Sequence, residues 1–226
     1  MKRRIGLVLM ALGLLVVAYP LVINYIYTPG ALRRASDELQ TIDADEIAEN
    51  QRMVRETMEN REDHFNFEEV EFLDTRFKRY DFDREGVIGI IHIPSVQMEV
   101  PIFYGVSNAV LDVGAGTMKP DQDMGLGNYA LAGHNSLNPE LYFAPIHRME
   151  VGDVITVTDK KWTYIYETTS IEIVDPHAVH VIEDVEGVTE ITLVSCTRGG
   201  EQRLIVKGKY LGREEFGSVH KGKGVE

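Results

Sequence analysis

One cysteine occurs in the chain, Cys196, and it closes the apolar run Ile191-Thr192-Leu193-Val194-Ser195-Cys196. Behind it comes Thr197-Arg198-Gly199-Gly200-Glu201-Gln202-Arg203, a polar loop with two guanidinium groups. A single thiol builds no internal disulfide framework and no Cys-only zinc site. It is either a small buried hydrophobe, a common fate for free cysteine, or a nucleophile. Its place at a strand end beside a loop favours the nucleophile, because accessible reactive groups collect there. A thiol nucleophile needs a proton partner, and seven histidines are available. His134, in Leu131-Ala132-Gly133-His134-Asn135, ends another apolar run against a loop. His92 lies inside an apolar run and reads as packed. His177 and His180 have a spacing that suggests a metal, but two histidines without further ligands are a weak signal. His64, His147 and His220 sit in polar surroundings and read as surface groups.

Short β-branched segments must position these groups. Val87 to Pro94, Val96 to Phe103, Tyr129 to His134, Val154 to Thr158, Trp162 to Ile173, Thr189 to Cys196 and Arg203 to Leu211 read as strands broken by Gly, Pro and Ser. Only Asn138 to Met149 looks helical, with Leu141, Tyr142, Ile146 and Met149 on one face. The pattern predicts an all-β domain over residues 86–212: a closed barrel or sandwich of seven to eight strands with one or two short helices.

The remainder of the 226 residues is of another kind. Lys2, Arg3 and Arg4 precede Ile5 to Ile23, an uncharged run of 19 residues that is about 28 Å long as a helix. Tyr19, Tyr25 and Tyr27 stand where an interfacial belt would lie, and Pro20 would kink the helix. Residues 5–27 are therefore expected to be an uncleaved transmembrane anchor, since a cleaved signal has a shorter apolar core and a small-x-small site. Basic residues 1–4 place the N-terminus in the cytoplasm and the bulk of the chain outside the cell. The net charge of −13 excludes a general nucleic-acid binder, which needs clustered Lys and Arg. Residues 36–85 hold 17 acidic and 7 basic side chains, and so carry most of that charge. The stretch Leu32 to Glu62 is rich in helix formers and too polar for a core. Residues 28–85 are thus expected to be a solvated, partly helical extracellular stalk, and residues 213–226 a loose tail.

The order of the reactive residues separates families. In papain-like enzymes the cysteine precedes the histidine, whereas here His134 comes first. Thr192-Leu193-Val194-Ser195-Cys196, followed by Arg203-Leu204-Ile205-Val206-Lys207-Gly208, resembles the signature of the sortases, class A in particular. Tyr129-Ala130-Leu131-Ala132-Gly133-His134 resembles the family's histidine strand, and Ala115 to Gln122 the segment before it. The likeness spans roughly residues 86–212, and an N-terminal anchor followed by a stalk is the usual class A layout. Ser195 stands where class A commonly has Thr, with the hydroxyl retained.

The resemblance implies a sortase-like β-barrel and a membrane-bound cysteine transpeptidase of a Gram-positive cell surface. Such enzymes cut a Leu-Pro-x-Thr-Gly-like sorting signal between Thr and Gly. They hold the acyl group as a thioester and pass it to an amine of a lipid-linked peptidoglycan precursor. Cys196 would be the nucleophile and His134 the proton donor and acceptor. Arg203 would stabilise the oxyanion, a role for which Arg198 is the rival. Ala132, Val179, Val181 and Ile182 match the apolar wall of the signal-binding groove, and Ser195 is placed with them. Some class A members bind calcium through acidic residues of the loop before the cysteine strand. Here Glu183 and Asp184 face only Asp112, so neither calcium nor any other cofactor is expected. Two other readings stay open: a pilus-polymerising sortase, whose Asp-Pro-aromatic lid motif is missing from the acidic segment, and a non-catalytic, membrane-tethered β-domain with Cys196 merely buried.

Overall fold

The computed structural model of the chain describes residues 2–22, 25–26, 28–58, 84–111, 113–136, 138–197 and 200–218. Eight strands form its centre: β1 (Val87–Ile93), β2 (Met98–Phe103), β3 (Ala115–Thr117), β4 (Asn128–Gly133), β5 (Val154–Thr158), β6 (Trp162–Val174), β7 (Glu190–Cys196) and β8 (Arg203–Glu215). They close into a barrel in the order β1-β2-β3-β4-β7-β8-β6-β5. Closure removes both sheet edges, so every strand finds two neighbours. Most pairs are antiparallel, but β4 runs parallel to β7 and β2 parallel to β3. Side chains alternate between the barrel interior and its outer face. Ile91, Ile93, Ile102, Tyr129, Leu131, Ile155, Tyr166, Ile191, Leu193, Leu204 and Val206 fill the interior.

β3 is too short to be legible as a β-branched run, and it was not among the expected strands. β8 continues to Glu215, three residues beyond the expected domain end at 212. The helix expected over Asn138 to Met149 is reduced to a 3-10 turn at Ala144–Arg148. Pro145 lacks an amide hydrogen there, and Tyr142 adopts a left-handed backbone (φ +54°), so an α-helix cannot run through the segment. The remaining helix of the barrel region, α4 (Asn108–Leu111), is one turn long.

Before the barrel come α1 (Lys2–Val22), α2 (Thr28–Thr41) and α3 (Ala44–Met58). The described part of α1 ends at Val22, and residues 23, 24 and 27 of the span expected to reach Tyr27 lie outside the described residues. Among the described residues, no helix is long and apolar enough to cross a membrane. The large aliphatic side chains of α1 from Ile5 to Val22 stand exposed.

The expected stalk does not stay in solvent. Leu39, Ile42 and Ile47 are almost fully buried against Val87, Ile90, Phe103 and Val113 on the β1–β2 side of the barrel. The Asp43 carboxylate accepts the Glu46 amide at 2.9 Å and starts α3 as its cap. Asn50 Nδ2 donates to the Arg84 and Val87 carbonyls, both at 3.0 Å. Arg84 pairs with Glu46 and donates to Thr41 Oγ1 at 2.8 Å. The Lys160 ammonium closes the C-terminal end of α2, donating to the Leu39 carbonyl at 2.6 Å. Residues 59–83, the more acidic part of the expected stalk, lie outside the described residues.

Truncating the buried anchor should therefore cost global stability. Ile47→Ala is expected to lower the unfolding free energy by about 2–5 kcal/mol, read from urea denaturation, with Cys196 alkylation in the folded chain unaffected. A loss under about 0.5 kcal/mol would mean that α3 is not part of the cooperative unit.

Candidate active site

The reactive row follows from the pairing of three neighbouring strands. β7 pairs with β8 so that Cys196 lies opposite Arg203, Val194 opposite Ile205 and Thr192 opposite Lys207. β4 pairs with β7 so that Ala130 lies opposite Thr192, Ala132 opposite Val194 and Gly133 opposite Ser195. Continuing that parallel register by one residue brings His134 beside Cys196. His134, Cys196 and Arg203 thus form one row across β4, β7 and β8. With strands about 4.8 Å apart, the imidazole and guanidinium residues flank the cysteine and stand roughly 10 Å from each other.

All three share a parity with Ala130, Ala132, Val194 and Ile205, whereas Leu131, Leu193 and Leu204 point into the barrel core. The row therefore opens on the outer face of the barrel. One step along the strands, Ala132, Val194 and Ile205 make an apolar floor, completed by Val106, Leu111, Met118 and Ala130. Val181 and Ile182, from the loop between β6 and β7, pack over it. In the ring of strands β7 stands four places from β1, so α2 and α3 dock on the far side and leave this face to the loops.

Each reactive group has a distinct setting. Cys196 is a free, half-buried thiol. His134 is partly buried, with its Nε2 shielded from solvent, and the desolvation of the ring pushes its pKa down to about 4, so the imidazole is neutral in the free protein at pH 7. Its backbone is gripped from beneath: the Phe143 amide donates to the His134 carbonyl at 2.9 Å. A Cβ on Gly133 would fall 2.3 Å from the Phe143 ring, so only glycine admits that packing. The Tyr142 ring meets His134 edge-on, 6.4 Å between centroids at 80°. Arg203 Nη1 donates to the Gly200 carbonyl at 2.8 Å and to the Gln202 carbonyl at 3.2 Å, which ties the guanidinium to the loop behind the cysteine. Arg198, the rival arginine, lies outside the described residues.

The structure divides the expected groove residues. Ala132 lies in the floor, and Val181 and Ile182 lie above it. Val179 is 66% exposed, away from the layer. Ser195 does not reach this face. It shares its parity with Ile191 and Leu193, is buried, and donates its hydroxyl to the Gly133 carbonyl at 3.0 Å, bonding β7 to β4 beside the reactive row. Val194 and Ile205 went unnoticed in the sequence, although each is two residues from a reactive group and strand alternation alone places them on the same face.

Among the described residues no group of three or more His, Cys, Asp or Glu could hold a metal, and Asp112 lies outside them. Asp184 Oδ1 already accepts the Lys119 ammonium at 2.7 Å and the Asn128 amide at 2.6 Å, which together hold its carboxyl below the usual range. A cation there would face that ammonium.

Comparison with known proteins identifies the family of the chain. Residues 91–211 match the sortase domain family. The chain is 31% identical to sortase A of Listeria monocytogenes over 216 residues, covering 92% of this chain and 91% of that protein. The crystal structure of Listeria monocytogenes sortase A superposes with a TM-score of 0.57 at 36% identity, covering 59% of this chain and 92% of the other. Sortase C-1 of Actinomyces oris superposes with a TM-score of 0.54 at 27% identity, covering 74% and 98%.

The burial of His134 carries a pH signature. The unfolded chain protonates it near 6.5 and the folded chain only near 4. Between those values the unfolded state binds the extra proton, so stability falls as pH drops through the window, by roughly 3 kcal/mol in all. In His134→Gln this component of the pH dependence should vanish, as measured by urea unfolding from pH 4 to 7. An unchanged slope would place the imidazole in water.

Proposed function

Because the chain belongs to the sortase family, with class A as its type, and is a cysteine transpeptidase, we propose that it cleaves a Leu-Pro-x-Thr-Gly-like sorting signal between Thr and Gly and joins the new acyl end to an amine of a lipid-linked cell-wall precursor. Sortases act generally on sorting signals of surface proteins and on cell-wall precursors, and they are membrane-associated enzymes of the cell surface. The observation that carries the reading is the register itself, with the only thiol paired opposite Arg203 and in step with His134, beside an apolar floor.

The chemistry follows from the resting charges. His134 is neutral at pH 7, so it first acts as a base and takes the proton of the Cys196 thiol as the sulfur attacks the Thr carbonyl carbon. The carbonyl oxygen becomes an oxyanion, and the Arg203 guanidinium, always charged and already tied to the adjoining loop, stabilises it. The Thr–Gly C–N bond then breaks, and the imidazolium gives its proton to the departing glycine amine. A thioester remains. The precursor amine attacks it and loses a proton to His134, and the C–S bond breaks. The imidazolium returns that proton to the Cys196 sulfur, restoring the starting state. The apolar face built by Ala132, Val194, Ile205, Val181 and Ile182 suits the Leu-Pro part of the signal and keeps water from competing with the amine.

Calcium has no place in this reading, since Lys119 occupies the position that a loop-tying cation would neutralise. The exposed aliphatic surface of α1, behind Lys2, Arg3 and Arg4, supports attachment to the membrane, with the N-terminus cytoplasmic and the barrel on the outer side.

Two measurements test the function. Incubated with a signal peptide and hydroxylamine, the protein is expected to release a hydroxamate ending at Thr, seen by mass spectrometry. Cys196→Ala should abolish it, and His134→Ala and Arg203→Ala should each slow it by about a hundredfold or more. Turnover that survives loss of the thiol refutes the thioester route. Secondly, the rate in EDTA should equal the rate in millimolar calcium, and a strong calcium stimulation would remove the Lys119–Asp184 pair from its assigned part.

A further inference from the structure

We propose that Asn128 is a positioning residue that presets the wall of the signal groove. This rests on the reading above, in which Val181 and Ile182 cover the apolar floor. Asn128 is the first residue of β4 and is 1% exposed. Its side-chain amide reaches across to the loop between β6 and β7. Nδ2 donates one hydrogen to the Val181 carbonyl at 3.1 Å and the other to the Glu183 carbonyl at 3.2 Å. Oδ1 accepts the Thr192 hydroxyl of β7 at 2.8 Å. Its backbone amide donates to Asp184 Oδ1 at 2.6 Å, the same oxygen that holds Lys119. One residue earlier, Gly127 (φ +51°) keeps its Cα bare where a Cβ would come 2.5 Å from that oxygen.

A primary amide suits this place because it is neutral and offers two donors and an acceptor in one plane. Both donors and the acceptor are engaged, as a buried polar group requires. The carbonyls it holds belong to residues on either side of Ile182, so the amide fixes the backbone that presents the groove's two covering side chains. The other half of the loop is untethered in the same sense: His177 and Val179 are exposed, and among the described residues the His177 ring pairs with neighbouring Asp175. Asn128 takes no part in bond making, since it lies six positions along the strand from His134, about 20 Å. Its effect should fall on binding. A wall ordered in the free chain spares the signal the entropy of ordering it, and releasing the wall transfers that cost to the binding step.

Asn128→Asp preserves the shape but removes both donors, and it sets a carboxylate against two carbonyls and Asp184. For a sorting-signal peptide the expected result is a KM raised about tenfold with kcat changed less than about twofold. The alkylation rate of Cys196 should be unchanged, and backbone amide exchange over residues 181–184 of the free chain should be faster. Thr192→Val, which removes the hydroxyl that donates to Asn128 Oδ1 at 2.8 Å and to the Val181 carbonyl at 3.4 Å, should move KM and exchange the same way by about threefold, and it tests the same tether if Asn128→Asp fails to fold. Unchanged exchange over residues 181–184 in the folded variants, or a fall in kcat at constant KM, overturns the proposal. If the unaltered protein turns over no signal peptide, the proposed function fails, while the exchange measurement still decides whether Asn128 holds the loop.

Discussion

Strand register is the constraint on which the rest depends. Side chains in a strand alternate with a period of two, so a slip of one residue between β7 and either neighbour would send Cys196 into the barrel or its partners out of line. Closure prevents the slip. Each strand is held on both sides, and the interior face is filled by Leu131, Leu193 and Leu204, whose displacement would expose core and turn Thr192 and Lys207 towards the barrel interior. The row of His134, Cys196 and Arg203 is thus positioned by the same hydrophobic burial that stabilises the fold. Ser195, on the inner face, adds a hydrogen bond to Gly133 one residue before the row.

In the proposed function the outer face of the same strands has the opposite task, for it must be apolar yet accept a peptide. Small residues, Ala130 and Ala132, keep the floor shallow, and the covering loop is carried on a polar network rather than on further hydrophobic packing. Hydrogen bonds and one ion pair fix the loop's backbone while leaving apolar side chains facing the groove. Burial beside this layer also explains why His134 rests neutral. A low local dielectric disfavours an isolated imidazolium, yet it strengthens the attraction between imidazolium and thiolate once both form together. The imidazole is therefore neutral at rest and becomes charged only when it takes a proton.

The docked helices show where a reading of composition failed. Residues 32–62 are polar on average, which suggested a solvated stalk, but burial is decided residue by residue. Leu39, Ile42 and Ile47, three aliphatics in a charged background, are the ones that meet the barrel, and Asn50 and Lys160 satisfy backbone carbonyls at the same junction. Their spacing fits one face only when the break between α2 and α3, capped by Asp43, is included. The helix expected at 138–149 failed for a different reason: its apolar spacing was sound, but Pro145 and the left-handed Tyr142 veto the hydrogen-bond ladder.

Several features were legible along the chain because they are local. The β-branched runs marked seven of the eight strands, and the strand-end placement of Cys196, His134 and Arg203 marked candidates for chemistry. Which residues share a face with them could also have been read by counting in twos, and Val194 and Ile205 were available to that count. Partner choice between strands was not local. That β4 lies parallel beside β7, with Gly133 against Ser195, is a contact between residues 62 positions apart, and alternation says only which face a side chain takes, never which strand lies next to it. The same holds for Ser195, whose position next to the cysteine suggested the groove although parity sends it inward, and for Asn128, an ordinary polar residue in the chain whose partners at 181, 183, 184 and 192 exist only once the barrel closes. Local sequence thus chose the elements and their faces, and the closed packing of those elements chose their neighbours, because hydrophobic burial is satisfied by the whole barrel and not by any one strand.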